Sequence, residues 1–239
     1  MRLLATVVAV AGALLALAGP APAADECRGL QTCLPVAGPW VVVPPRTGTV
    51  PATVVWELRC PLPNYLVAGV DARVSDRSLD VAIRGESGSP VSPGVTTRRS
   101  VLFVATYAGT ARTPTTFAPF IGCIPTEGGG GRSQTSIRQG VAYAPGRPVE
   151  RRVVTRTVTA GAGRRVTSRC PRGSRLLGAD HAVGLRVTDE PPAGLLRAVR
   201  TRRTVAGGVV TVTATVDPTV PRALGVEVQV HAICTRAGR

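Results

Sequence analysis

The sequence predicts an all-β protein: two tandem β-sandwich modules from an internal duplication, each closed by one disulfide, after a cleaved signal peptide. Three observations predict this. A motif occurs twice, first as Arg59-Cys60-Pro61, Leu66-Val67-Ala68-Gly69 and Arg73-Val74-Ser75-Asp76, closing at Ile121-Gly122-Cys123. Its second copy reads Arg169-Cys170-Pro171, Leu176-Leu177-Gly178-Ala179-Asp180 and Arg186-Val187-Thr188-Asp189, closing at Val230-His231-Ala232-Ile233-Cys234. The cysteines are separated by 63 positions in one copy and 64 in the other. Second, apolar residues alternate with polar ones over short runs, the period of a half-buried strand. Third, Gly, Pro and β-branched residues punctuate every candidate long helix, and turns separate the runs.

Taken in order, residues 1–23 read as a secretory signal peptide. Arg2 precedes an uncharged apolar run from Leu3 to Ala18, and Ala21-Pro22-Ala23 supplies a small-residue cleavage site. That run of 16 residues is shorter than the roughly 20 needed to span a bilayer. No later stretch is long and apolar enough to be a membrane span. Residues 24–35 form an N-terminal loop closed by Cys27 and Cys33.

The first module occupies residues 36–125. Trp40 to Val43 opens it, and Pro44-Pro45 and Pro51 keep any strand here short or at an edge. Val54, Trp56, Leu58 and Cys60 alternate with Val55, Glu57 and Arg59; Leu79, Val81 and Ile83 alternate with Asp80, Ala82 and Arg84. Val101 to Tyr107 is apolar on both faces, as in a central strand. Phe117 to Ile124 ends the module.

Residues 126–148 contain Gly128-Gly129-Gly130-Gly131 and read as a Gly-rich connection, with Ile137 to Tyr143 as a possible short strand. No Lys follows the glycines and no strand-helix frame surrounds them, so a phosphate loop is excluded.

The second module, residues 149–239, repeats the pattern. Val153 to Thr159 is a Val/Thr strand. Val166, Ser168 and Cys170 share one parity, as do Val210, Val212, Ala214 and Val216, and Val226, Val228, Val230, Ala232 and Cys234. Six cysteines allow 15 pairings. The repeat and the inward parity of Cys60, Cys123, Cys170 and Cys234 select Cys60–Cys123, Cys170–Cys234 and Cys27–Cys33. Such a set belongs to an oxidising compartment, and the absence of Cys-x-x-Cys removes the usual zinc and thioredoxin spacings.

Every basic residue is Arg; Lys is absent, which with abundant Ala, Gly, Pro and Val indicates a GC-rich genome. From Asp25 to Pro145 there are 11 Arg and 8 acidic residues, net +3; from Gly146 to Arg239 there are 17 Arg and 6 acidic residues, net +11. The aromatics divide the other way. All eight, from Trp40 to Tyr143, precede the second module.

The Arg groups are the feature that rises above a plain scaffold: Arg151-Arg152, Arg164-Arg165, Arg169, Arg172, Arg175, Arg197, Arg200 and Arg202-Arg203. Within them, Arg152, Arg165, Arg169, Arg172, Arg175, Arg202 and Arg203 are the candidate anion contacts. Guanidinium matches phosphate, carboxylate and sulfate in bidentate geometry, and a surface of this sign attracts polyanions. The expected partner is an anionic cell-wall polymer or acidic polysaccharide, and the expected place is secreted, extracellular or cell-wall associated. The same charge also reads as a solvated basic surface that keeps the protein soluble. Sequence-specific nucleic-acid reading is disfavoured, because no recognition helix is apparent and the second module has no aromatic to stack a base.

The other constellations read as structure. Asp180-His181 would put adjacent side chains on opposite strand faces, and no Gly-x-Ser-x-Gly elbow accompanies them. His231 falls on the polar parity of the last strand and reads as solvated. A metal site from Asp180, His181 and His231 has no supporting spacing. Asp71, Asp76 and Asp80 read as turn chemistry. The expectation is a non-catalytic protein without cofactor or metal. Two rivals remain: a pair of modules that binds protein through an exposed aromatic patch around Trp40 and Tyr65, and a carbohydrate-active hydrolase using Asp71, Asp76 and Asp80.

Overall fold

The computed structural model describes residues 27, 32–85, 95–96, 98–126 and 149–235. The residues read as a signal peptide, most of the N-terminal loop and nearly all of the Gly-rich connection, with the strand expected at Ile137 to Tyr143, lie outside the described residues. The described chain is all-β. Its strands are β1 (Leu34–Ala37), β2 (Trp40–Val43), β3 (Ala52–Arg59), β4 (Tyr65–Val74), β5 (Leu79–Arg84), β6 (Ser100–Tyr107) and β7 (Thr115–Pro125). They continue as β8 (Val149–Val158), β9 (Gly163–Arg169) and β10 (Leu176–Arg186); then a short helix, α1 (Ala193–Arg197), precedes β11 (Val199–Ala206), β12 (Val209–Val216) and β13 (Gly225–Thr235).

The strands pair in two matching sets. In the first, β3, β6 and β5 make a three-stranded antiparallel sheet with β6 central, while β7 takes β4 on one side and β1 and β2 on the other. In the second, β9, β12 and β11 make a three-stranded sheet with β12 central, while β13 lies between β10 and β8. A register shift interrupts both long antiparallel pairings, β4 with β7 and β10 with β13, beside a cysteine: between Val67 and Gly69 opposite Cys123, and between Leu176 and Gly178 opposite Cys234. A bulge of this kind bends and twists a strand.

The two sets are joined edge to edge. Val41 and Trp40 of β2 pair with Gly184 and Leu185 of β10, so one seven-stranded sheet runs through both. The sequence places β2 as short or at an edge; it is short, at four residues, but interior. Its neighbours fix its two faces. Val41 and Val43 enter the first core and Val42 packs against the second; on β10, Ala182 enters the first core and Leu185 the second. Since neighbours along a strand face opposite ways, the two cores, and the three-stranded sheets that cover them, lie on opposite faces of the large sheet.

The cores differ in kind. The first is filled by Trp56, Phe103, Tyr107 and Phe117, around Cys60–Cys123. The second is built from Val166, Val210, Val212, Val226, Val228 and Val230 with Leu185 and Leu196, around Cys170–Cys234. Each such side chain contributes roughly 1.5–3 kcal/mol when fully buried. Cys60, Cys123 and Cys234 are fully buried, and Cys170 packs against the second core from a half-buried position. Cys27 pairs with Cys33. The tight β11–β12 hairpin turns on Gly207 and Gly208, both at positive φ, +55° and +75°, where glycine escapes the Cβ clash.

Candidate anion-binding face

The outward face of the second three-stranded sheet follows from strand alternation. Val166 and Ser168 of β9 and Val210, Val212 and Ala214 of β12 are buried. The opposite parity therefore turns out: Arg165, Thr167 and Arg169 on β9, Thr211, Thr213 and Thr215 on β12, and Arg200, Arg202 and Thr204 on β11. Cross-strand register sets them in rows. Thr213 lies between Arg165 and Arg202, Thr211 between Thr167 and Thr204, and Thr215 beside Arg200. Arg165, Arg169, Arg200 and Arg202 are exposed, and none has an ion-pair partner among the described residues. The three strands contain no acidic residue. Asp217, just past β12, is held below the usual carboxylate range by the Thr219 hydroxyl and N–H, with Arg200 adding a smaller pull.

The expected anion contacts are thus only partly brought together. Arg165, Arg169 and Arg202 share the face, joined by Arg200. Arg172 and Arg175 are exposed in the β9–β10 turn at the Arg169 end of β9. Arg152 stands on β8 of the large sheet and pairs with Glu150 at 2.6 Å. Arg203 has the inward parity of β11 and donates to the Ala179 carbonyl.

No protein-family model matches this chain, and no curated protein matches it. The geometry alone carries the functional reading.

The histidines occupy opposite faces of the large sheet. His181 exchanges a hydrogen bond with the Thr201 hydroxyl at 2.9 Å. Burial lowers its pKa, Arg203 lowers it further, and Asp180 opposes them. It sits in a cleft of about 330 Å³ with Val42, Leu196, Val199 and Arg203 among its walls. His231 corrects the sequence reading. It is fully buried, because β3 of the first set packs over that face of β13. Arg151 Nη1 donates to its Nδ1 at 3.2 Å, and its Nε2 donates to Gln229 Oε1 at 2.9 Å. Arg151 also reaches Asp180 at 3.5 Å. Burial, then Arg151, then His181 lower the His231 pKa to about 3. An imidazole whose Nδ1 is occupied by a guanidinium has no lone pair there for a metal, and no cluster of three or more His, Cys, Asp or Glu capable of holding one occurs among the described residues.

The remaining candidates separate. Asp76 Oδ1 accepts from the Ser78 N–H, an Asx turn, and its Oδ2 accepts from the Tyr107 hydroxyl at 3.3 Å. Asp71 lies on the large sheet opposite Phe120, whereas Asp80 lies on the three-stranded sheet opposite Thr106. Trp40 is 8% exposed and Tyr65 packs against the first core. Of the aromatic patch expected around them, Trp40 is thus buried and Tyr65 half-buried.

Proposed function

We propose that this chain is a secreted, non-catalytic protein of the cell envelope or extracellular space, made by duplication of one β-sandwich module, and that the outward face of its second module docks an anionic polymer. The matched strand order and the bulge beside each closing cysteine support the duplication. Three disulfides fit an oxidising compartment, and no described helix is long and apolar enough to cross a membrane.

One observation carries the docking reading: Arg165, Arg169, Arg200 and Arg202 flank a threonine centre on one face that lacks any acidic strand residue. Guanidinium forks bind phosphate, sulfate or carboxylate, and adjacent hydroxyls add neutral donors. A β-sheet face spaces such groups about 5 Å apart across strands, a repeat suited to a chain of anionic units rather than to one small ligand. The test is elution from an anionic-polymer resin on a salt gradient. The variant Arg165→Glu/Arg169→Glu/Arg202→Glu should elute at lower salt than the native chain, and equal elution would refute the reading.

A further inference from the structure

A second concentration of positive charge lies on the other side of the large sheet, and it is concave. The outward face of the first three-stranded sheet carries Glu57 and Arg59 on β3, Leu102 and Ser100 opposite them on β6, and Arg84 of β5 opposite Leu102. Where this face meets β8, these side chains, Arg98 and Arg151 enclose a cleft of about 340 Å³. Among the described residues, four arginines and one carboxylate line it. Three of the arginines come from the first set of strands and one from the second.

We propose that this cleft binds a compact tetrahedral oxyanion, a phosphate or sulfate ester group. Two of its arginines are held from behind. Arg59 donates through Nε and Nη2 to Glu57 Oε1, at 3.3 and 2.9 Å. Arg151 is braced by His231 and Asp180. Bracing lowers the rotamer entropy lost when an anion binds. The walls are also fixed relative to each other, because Gln229 of the second set bonds both the N–H and the carbonyl of Glu57. A cleft lined mainly by arginine focuses the field inside it more than a flat face does, and its volume lies in the range of small-ligand sites, roughly 300–1,000 Å³. That is room for one charged group and the sugar or polyol unit that bears it. The cleft does not depend on the polymer-docking face, and the two lie on opposite sides of the large sheet.

The experiment titrates the full mature chain with inorganic pyrophosphate, sulfate and acetate at low salt. Pyrophosphate should bind more tightly than sulfate, and sulfate more tightly than acetate. Arg84→Glu/Arg98→Glu should weaken pyrophosphate at least about tenfold, whereas Arg165→Glu/Arg202→Glu should change it less than about twofold. If charge reversal at the cleft disturbs folding, Arg84→Gln/Arg98→Gln gives the same comparison. Loss of pyrophosphate binding on the sheet-face variant alone, or no loss on either cleft variant, overturns the proposal. Retention of the cleft variant on a glycerol-phosphate polymer and on a sulfated glucan then distinguishes the two sources. A loss on either or both supports the site; undiminished retention on both overturns it.

Discussion

Gln229 and Glu57 stand 172 residues apart and bond to each other twice. The Glu57 N–H donates to Gln229 Oε1 at 2.6 Å, and Gln229 Nε2 donates to the Glu57 carbonyl at 3.1 Å. β3 is an edge strand among the described residues, so these backbone groups have no described strand partner on that side. The Gln229 amide supplies what a neighbouring strand would. The same amide donates to Thr155 Oγ1 and accepts from His231 Nε2.

Removing that amide should therefore cost more than one hydrogen bond. Gln229→Leu leaves the Glu57 N–H and the His231 N–H short of an acceptor at a buried site, each worth about 1–3 kcal/mol. Denaturant titration should show a loss of about 3 kcal/mol, and Thr155→Val, which removes only one of the amide's acceptors, a loss of about 1 kcal/mol.

Acid should loosen the same junction. The folded chain holds His231 at a pKa of about 3, against 6.5 for the free side chain. A lowered histidine favours the neutral form on folding, so its stabilisation is complete above pH 6.5 and is lost as pH falls from there toward 3. At about 1.4 kcal/mol per unit, the full loss is on the order of 5 kcal/mol. His181 shifts in the same direction. Denaturation midpoints of the native chain at pH 7 and pH 4 should differ markedly, and His231→Gln should narrow the difference.

Gly184 of β10 packs closely against the first set of strands. A Cβ there would lie 3.0 Å from Trp56 Cη2 and closer still to the Pro39 ring. Overpacking of this kind costs about 1–3 kcal/mol. Gly184→Ala should lower the melting temperature, while Gly194→Ala, with open space around its Cβ position, should not.

The second core should depend more heavily on its disulfide. It has no aromatic side chain, only Val, Leu and Ala around Cys170–Cys234. Cys170→Ala/Cys234→Ala should cost about 2–5 kcal/mol. Hydrogen exchange should show β9–β13 losing protection before β3–β7, whereas Cys60→Ala/Cys123→Ala should leave Trp56 and Phe103 in a protected core.

What could be read from the sequence was local. The strands at Val54, Leu79, Val166, Val210 and Val226 announce themselves by period two and Val101 to Tyr107 by being apolar on both faces, while the repeat and the cysteine parity give Cys60–Cys123 and Cys170–Cys234 and leave Cys27 to Cys33. β11 is hidden because Arg200, Arg202 and Arg203 put charge on both parities, erasing the apolar contrast. β4 and β10 are hidden because each has partly buried side chains on both faces. The burial of His231 comes from β3, far away in sequence, so its polar parity pointed to water that is not there. The Arg59–Arg151 cleft is equally non-local: no stretch of sequence brings β8 beside β3.

Counterion release tests the arginine face of the second set of strands most directly. Affinity for an anionic polymer should fall linearly with the logarithm of salt, with a slope that counts the charges engaged. Substituting Arg165, Arg169 and Arg202 by Gln should reduce the magnitude of that slope by about 3, roughly one for each lost contact. A slope unchanged by all three substitutions would contradict the account.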